Sequence, residues 1–302
     1  MARYSHSKLI RRSIENEIRN LRALDLARID QAHLTKLVRT LLGHGYISRP
    51  LYVQNPNGYR VRINETHELF ESVKDLWWPP ANCVKRGRCN DPGQPVFYYS
   101  DSEDTAVIEK QPNEGDILTV LKIELIDPTK LPLVMTLGIH EFTGKTNPRY
   151  GGTPPDRDTK QKVFIAREGL SQTNSILHQY LTKEFVKDVP GGSEAEYKIT
   201  STIARILINE PETISDDGSV VSDVKIDGIA YPSIAANKFG ANVALTTESA
   251  DRLYRPVSCE VNRVEKAHDR LHYTLGTLCW SESIQADGTI KWHIPKQPQR
   301  KK

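Results

Sequence analysis

The chain has few of the features that mark several large protein classes. It has only four cysteines, Cys83, Cys89, Cys259 and Cys279, and none forms a CxxC pair. Zinc-ribbon spacing is therefore absent, and so few cysteines in so long a chain read as free thiols in a cytoplasmic protein. No stretch approaches the roughly 20 apolar residues that cross a bilayer, so no membrane span is expected. The N-terminal MARYSHSKLIRRSIENEI has cations with no apolar run behind them, unlike a secretory signal. Without secretion, the Asn64-Glu65-Thr66 sequon carries no glycosylation reading. The net charge is only +3, which gives no global case for nucleic-acid binding. Internal repeats and low-complexity blocks are also missing.

Several catalytic signatures fail on inspection. Gly144-Lys145-Thr146 invites a nucleotide-loop reading, but a Walker A loop needs glycine at 139, where the chain has Ile139. His268 and His272 have helical spacing without the HExxH glutamate, so no metal is expected. Ser233 follows Tyr231-Pro232 outside any Gly-x-Ser-x-Gly elbow, which argues against a hydrolase nucleophile.

What is present supports a packed α/β protein. The hydrophobic content is 38% and the charged content 26%, values ordinary for a globular core. Leu9, Ile10, Ile14, Ile18, Leu21 and Leu24 recur at helical spacing, and Ile29, Leu34, Leu37, Val38 and Leu41 continue the pattern. A helical hairpin over 9–42 follows, with Asp30 as N-cap of its second arm and Gly43 or Gly45 as its stop. Its arginine-rich face is read as packing on the main domain rather than as a partner-binding arm. A domain entry is expected near Tyr59–Ile63, a short alternating strand, and a helix over His67–Trp77 ends at Pro79-Pro80.

Val96–Tyr99 reads as a strand, followed by a helix through Glu109 that Ser100 would cap with Glu103 as its reciprocal partner. Strands are expected at Ile117–Leu125 and Leu131–Leu137, and helices at 160–185 and 194–208. Residues 142–160 and 209–224 read as loops. Further strands are expected at Asp227–Pro232, Asn242–Leu245 and Val257–Val264. His272–Ser281 and Thr289–His293 read as a hairpin around Ala286-Asp287-Gly288.

Two stretches concentrate chemistry. In the first, Lys85, Arg86 and Arg88 sit beside Asn90, Pro92 and Gly93, and guanidinium groups on a turn can grip phosphate oxygens. Tyr98 lies on the following strand, where an aromatic at a pocket wall could stack on a planar ring. Glu109 lies near the apolar residues of a short helix, where a carboxylate is either paired structurally or held for function. The second stretch, Asp227 to Leu245, carries Ser233 and Asn242.

Together these residues resemble the RES domain family, named for Arg, Glu and Ser. The resemblance rests on Arg86-Gly87-Arg88-Cys89-Asn90, Pro95-Val96-Phe97-Tyr98-Tyr99-Ser100, and Thr105-Ala106-Val107-Ile108-Glu109. It is completed by Asp227-Gly228-Ile229-Ala230-Tyr231-Pro232-Ser233 and Asn242-Val243-Ala244-Leu245, and it spans roughly residues 75–265. It implies an ADP-ribosyltransferase-like mixed sheet, with an N-terminal helical region (1–60), an NAD-consuming domain with a long helical insertion (61–265), and a C-terminal hairpin with a basic tail (266–302).

The resemblance further implies NAD as substrate, inorganic phosphate as a co-substrate, and an NAD phosphorylase or glycohydrolase acting as a toxin. A small antitoxin protein is the implied partner. Arg88, Glu109 and Ser233 would be catalytic, and Arg86, Asn90, Tyr98 and Asn242 would bind the dinucleotide. A protein ADP-ribosyltransferase with a protein target is the alternative within the family. A non-catalytic, nucleic-acid-binding protein using the basic arm is the alternative outside it.

Overall fold

The structure is a computed structural model of the chain. It describes residues 2–44, 46, 50–66, 68–139, 168–189, 193–210, 213–214, 220–221 and 224–295. The main sheet has nine strands: β1 (Pro50–Tyr52), β2 (Asn57–Ile63), β3 (Val96–Ser100), β4 (Ile117–Leu125), β5 (Leu133–Thr136), β8 (Gly228–Pro232), β9 (Ala241–Thr246), β10 (Tyr254–Ala267) and β11 (Tyr273–Ser281). Their spatial order is β1-β5-β8-β9-β3-β2-β4-β10-β11. Only β5 and β8 pair in parallel, so the sheet is mixed. Two further strands, β6 (Thr213–Ile214) and β7 (Val220–Val221), form a separate antiparallel ribbon within the acidic span read as a loop.

Six α-helices lie among the described residues: α1 (Ala2–Arg22), α2 (Gln31–Leu42), α3 (Glu103–Ile108), α4 (Glu168–Phe185), α5 (Lys198–Asn209) and α6 (Thr247–Leu253). Four of them cover one face of the sheet. There Met135, Ile229, Tyr231 and Ala244 join Ile14 and Leu21 of α1, and Leu34 and Val38 of α2. Leu177, Leu181 and Phe185 of α4 and Ile203 and Leu207 of α5 complete the same core. Each fully buried Leu or Ile contributes about 1.5–3 kcal/mol, so this layer is a principal source of stability. The opposite face buries Phe97, Tyr99, Val134, Ala230, Val243 and Leu245 against Leu253 of α6.

The N-terminal hairpin packs on the domain, as its periodicity suggests. Asp30 caps α2 by accepting from the His33 amide at 2.9 Å, and Gly43 ends it. Polar contacts tie the hairpin to α5: Gln31 Nε2 donates to Thr202 Oγ1 at 2.7 Å, and Arg205 Nη2 donates to Thr35 Oγ1 at 2.7 Å. Arg39 meets Glu210 through two guanidinium nitrogens.

Two expected elements are replaced. No α-helix forms in the described part of His67–Trp77; only Val73–Asp75 makes a 3₁₀ turn. Distant groups recruit this segment instead: the Val73 amide donates to Gly288 O, Phe70 O accepts from Trp292 Nε1, and Ser72 bridges Thr289. The C-terminal hairpin is built from β10 and β11, and Thr289–His293 contributes only isolated bridges. β10 runs three residues beyond Val264, long enough to pair with β4 and with β11 at once. The 142–160 loop lies outside the described residues.

Candidate active site

The site is built where β2 and β3 separate. These neighbours share one register pair, Tyr59 with Ser100, whereas β3 and β9 share five. Ser100 also opposes Asn242 on β9, and Asn242 opposes Tyr231 on β8. Directly opposed residues in antiparallel strands point to the same face, so Tyr59, Ser100, Asn242 and Tyr231 form one row across the sheet.

Helix α3 carries the carboxylate to this row. Ser102, rather than the expected Ser100, is its N-cap, with Oγ accepting from the Thr105 amide at 3.2 Å. Glu103 and Asp104 occupy the first turn, where negative charge suits the helix dipole. Ala106 and Val107 seat the helix against Val61, Leu118 and Val120. Gln111 has a left-handed φ of 44° and Pro112 follows, so the helix stops after one and a half turns with Glu109 as C-cap. The loop after β8 packs tightly on the same helix: a Cβ on Gly240 would lie 2.1 Å from Thr105 Oγ1.

Glu109, Ser233 and Asn242 meet in one cluster. Ser233 Oγ donates to Glu109 Oε1 at 2.5 Å, and Asn242 Nδ2 donates to the same oxygen at 2.7 Å. Ser233 is fully buried, and its Oγ accepts from the Ala236 amide at 3.0 Å. Asn242 Oδ1 accepts from Ser100 Oγ at 2.7 Å. Among the described residues, no group bonds Glu109 Oε2. The carboxylate is therefore fixed by one oxygen and open at the other.

The basic turn divides its arginines between different tasks. Arg86 ion-pairs with Asp91 and donates to Ser201 Oγ at 2.9 Å, and both ionic side chains are nearly buried, at 10% and 11% exposure. Asp91 also receives Ser201 Oγ at 2.8 Å and faces Arg205 at 3.4 Å. The Arg86 charge is thus matched inside the protein by Asp91. Asn90 is likewise internal: its amide donates to Lys85 O and Asp91 O, and its oxygen accepts from Tyr98.

Arg88 has no carboxylate partner among the described residues. It donates to the carbonyls of Glu184 and Lys187 at the C-terminal end of α4, at 3.3 and 3.0 Å. Its guanidinium lies 5.3 Å from the Tyr197 ring centre and 5.8 Å from that of Tyr231. Tyr98 braces the turn: its hydroxyl donates to Asn90 Oδ1 and accepts from the Cys89 amide, both at 2.9 Å. Burial holds the Tyr98 and Tyr231 phenols neutral, well above the ordinary tyrosine range. Burial also pushes the Cys89 thiol up to about 12, so no thiolate is available beside Arg88.

Three residues of this region escaped the sequence reading. Arg60 of β2 bridges the separating strands by donating to Tyr98 O at 2.9 Å, with its guanidinium 5.5 Å from the Phe97 ring centre. Its buried Nε has no partner among the described residues, and burial, reinforced by the charge of Arg62, lowers its pKa to about 10. Nothing in an alternating strand distinguishes such an arginine from a solvated one. Tyr231 was noticed only as a neighbour of Ser233, although strand alternation after a buried run would place it inward. Ser100, a cap by local rules, instead donates to Asn242.

The RES domain family model matches residues 59–271, well over half of the chain. No curated protein and no solved structure matches it.

Proposed function

Because the chain belongs to the RES domain family, we propose that it cleaves the bond between nicotinamide and ribose in NAD, passing ADP-ribose to phosphate or water. The family is associated with NAD-related toxin activity, and a toxin role with a cognate antitoxin is part of this reading. The observation that carries it is the arrangement of Glu109: Oε1 is held by Ser233 and Asn242, and Oε2 faces no protein donor among the described residues.

Loss of nicotinamide develops positive charge on the ribose ring, as in glycoside cleavage. A carboxylate held by one oxygen can place the other against a ribose hydroxyl and stabilise that charge with little reorganisation. The pyridinium nitrogen takes the bonding electrons and leaves as neutral nicotinamide, so no acid is needed for departure. The acceptor oxygen bonds to the ribose carbon and loses its proton to solvent. Arg88, a guanidinium group without a carboxylate partner among the described residues, suits the pyrophosphate or the incoming phosphate. Tyr98 and Tyr231 wall the site, and Ser233 and Asn242 orient the carboxylate.

The test is nicotinamide release from NAD by the purified protein, with and without phosphate, followed chromatographically. Release is expected, and phosphate stimulation would identify the acceptor. Glu109→Gln should lower the rate by about 100-fold or more, the scale of losing a transition-state electrostatic contact. No release under either condition would overturn the proposal.

A further inference from the structure

We infer that Ser100 is a positioning residue for Glu109, acting through the side chain of Asn242. The inference rests on the proposed NAD reading for its catalytic consequence, and on hydrogen-bond geometry for its physical basis. An asparagine amide has two unlike ends, an accepting oxygen and a donating nitrogen, and both orientations occupy nearly the same volume. The end that faces Glu109 therefore decides whether the carboxylate is supported or repelled.

Ser100 fixes that choice from the oxygen end. Its Oγ donates to Asn242 Oδ1 at 2.7 Å, so Nδ2 is turned toward Glu109 Oε1, also at 2.7 Å. Ser100 and Asn242 are buried, with 4% and 6% exposure, so water cannot readily substitute for the hydroxyl. The backbone holds the two residues opposite each other. They are register partners, and the pairing is clamped just beyond them by the Asp101 amide on Ala241 O and the Ala241 amide on Asp101 Oδ1. An ionised carboxylate only accepts, so the chain of donors runs one way, from Ser100 to Asn242 to Glu109.

In Ser100→Ala the amide oxygen loses its donor, so the Asn242 side chain is held at one end only and its Nδ2 can drift from Glu109 Oε1. Turnover of NAD should then fall about tenfold in kcat, with KM within about twofold because buried Ser100 acts through Asn242, and the thermal midpoint should fall by only a few degrees, the scale of one unsatisfied buried acceptor. Ser100→Thr, which keeps the hydroxyl, should recover most of the rate if its thermal midpoint is retained. A second measurement is independent of NAD. The Asn242 side-chain amide signal in a ¹⁵N-labelled sample, identified by its loss in Asn242→Asp, should shift in Ser100→Ala and in Glu109→Gln. An Asn242 signal unmoved by Ser100→Ala overturns the inference whatever the substrate is. Wild-type protein that releases no nicotinamide overturns the functional reading alone, and the amide signal then still decides the role of Ser100. Unchanged kcat in a turning-over Ser100→Ala protein also overturns the inference.

Discussion

Arg86 and Arg88 are two residues apart, yet their substitution should have opposite consequences. Arg86→Met removes a cation whose partner, Asp91, is buried with 11% of its side chain exposed. Breaking a buried pair from one side leaves the other charge poorly compensated, at a cost of about 3–5 kcal/mol. Here the lower end applies, because Ser201 Oγ still donates to Asp91 at 2.8 Å and Arg205 remains 3.4 Å away. A loss of about 3 kcal/mol corresponds to a fall in thermal midpoint of roughly 5–10 °C for a chain of this size. The damage should be mainly to stability, with NAD turnover at a temperature well below the transition retained to within a few-fold.

Arg88→Met is the comparison. Its guanidinium caps carbonyls at the end of α4 and lies 5.3 and 5.8 Å from two tyrosine ring centres, with no carboxylate left stranded among the described residues. The expected loss of stability is about 1.5–3 kcal/mol, the scale of hydrogen bonds to a charged group. Turnover should fall at least about tenfold. Differential scanning calorimetry and nicotinamide release, run on both variants, decide the matter. Arg86→Met with an unchanged midpoint and abolished turnover would refute the assignment, because it would mean that the Asp91 pair does not hold in the working protein.

Two further predictions follow from burial and close approach. At pH 8 a thiol reagent should label Cys83 readily, whereas Cys89, Cys259 and Cys279 should react only after denaturation; Cys83 is exposed, and burial pushes Cys89 and Cys259 up to about 12. Fast labelling of more than one thiol in the native protein would contradict the packing. Gly228→Ala should prevent recovery of folded protein, because its Cβ would lie 2.0 Å from the backbone oxygen of Ala244 on the adjacent strand, and backbone there cannot move without opening the sheet. A folded variant with a near-native midpoint would contradict the β8–β9 register.

Much of the site could be read from the sequence, and its supporting structure much less so. Glu109, Ser233 and Asn242 carry residue types and an order specific enough to be singled out, and the fold brings all three together. Strand Ile117–Leu125 was recognisable to the residue because a long apolar run bounded by polar turns leaves few alternatives. The basic turn was ambiguous for a physical reason: a guanidinium's task depends on its counter-ion, and α5, which supplies Ser201 and Arg205, lies over a hundred residues away. The cap of α3 slipped from Ser100 to Ser102 because both serines satisfy local capping rules, and the competing bond from Ser100 to Asn242 is 142 residues distant. The helix expected over His67–Trp77 lost to strand bridges and indole contacts from the C-terminal region, which local propensity cannot register.

The wide chain separation within the site has a consequence for biogenesis. Glu109 is made well before the groups that hold it, since Ser233 and Asn242 follow by 124 and 133 residues. Strand β3 likewise waits for β9, and pairing across such a span is among the slow steps of folding. A nascent chain emerging from the ribosome at about 5–20 residues per second spends several seconds with its carboxylate made and its holders still missing. On the proposed NAD reading, no turnover is expected from the nascent chain during that interval. On the same reading, activity begins only when β9 closes the sheet between β3 and β8.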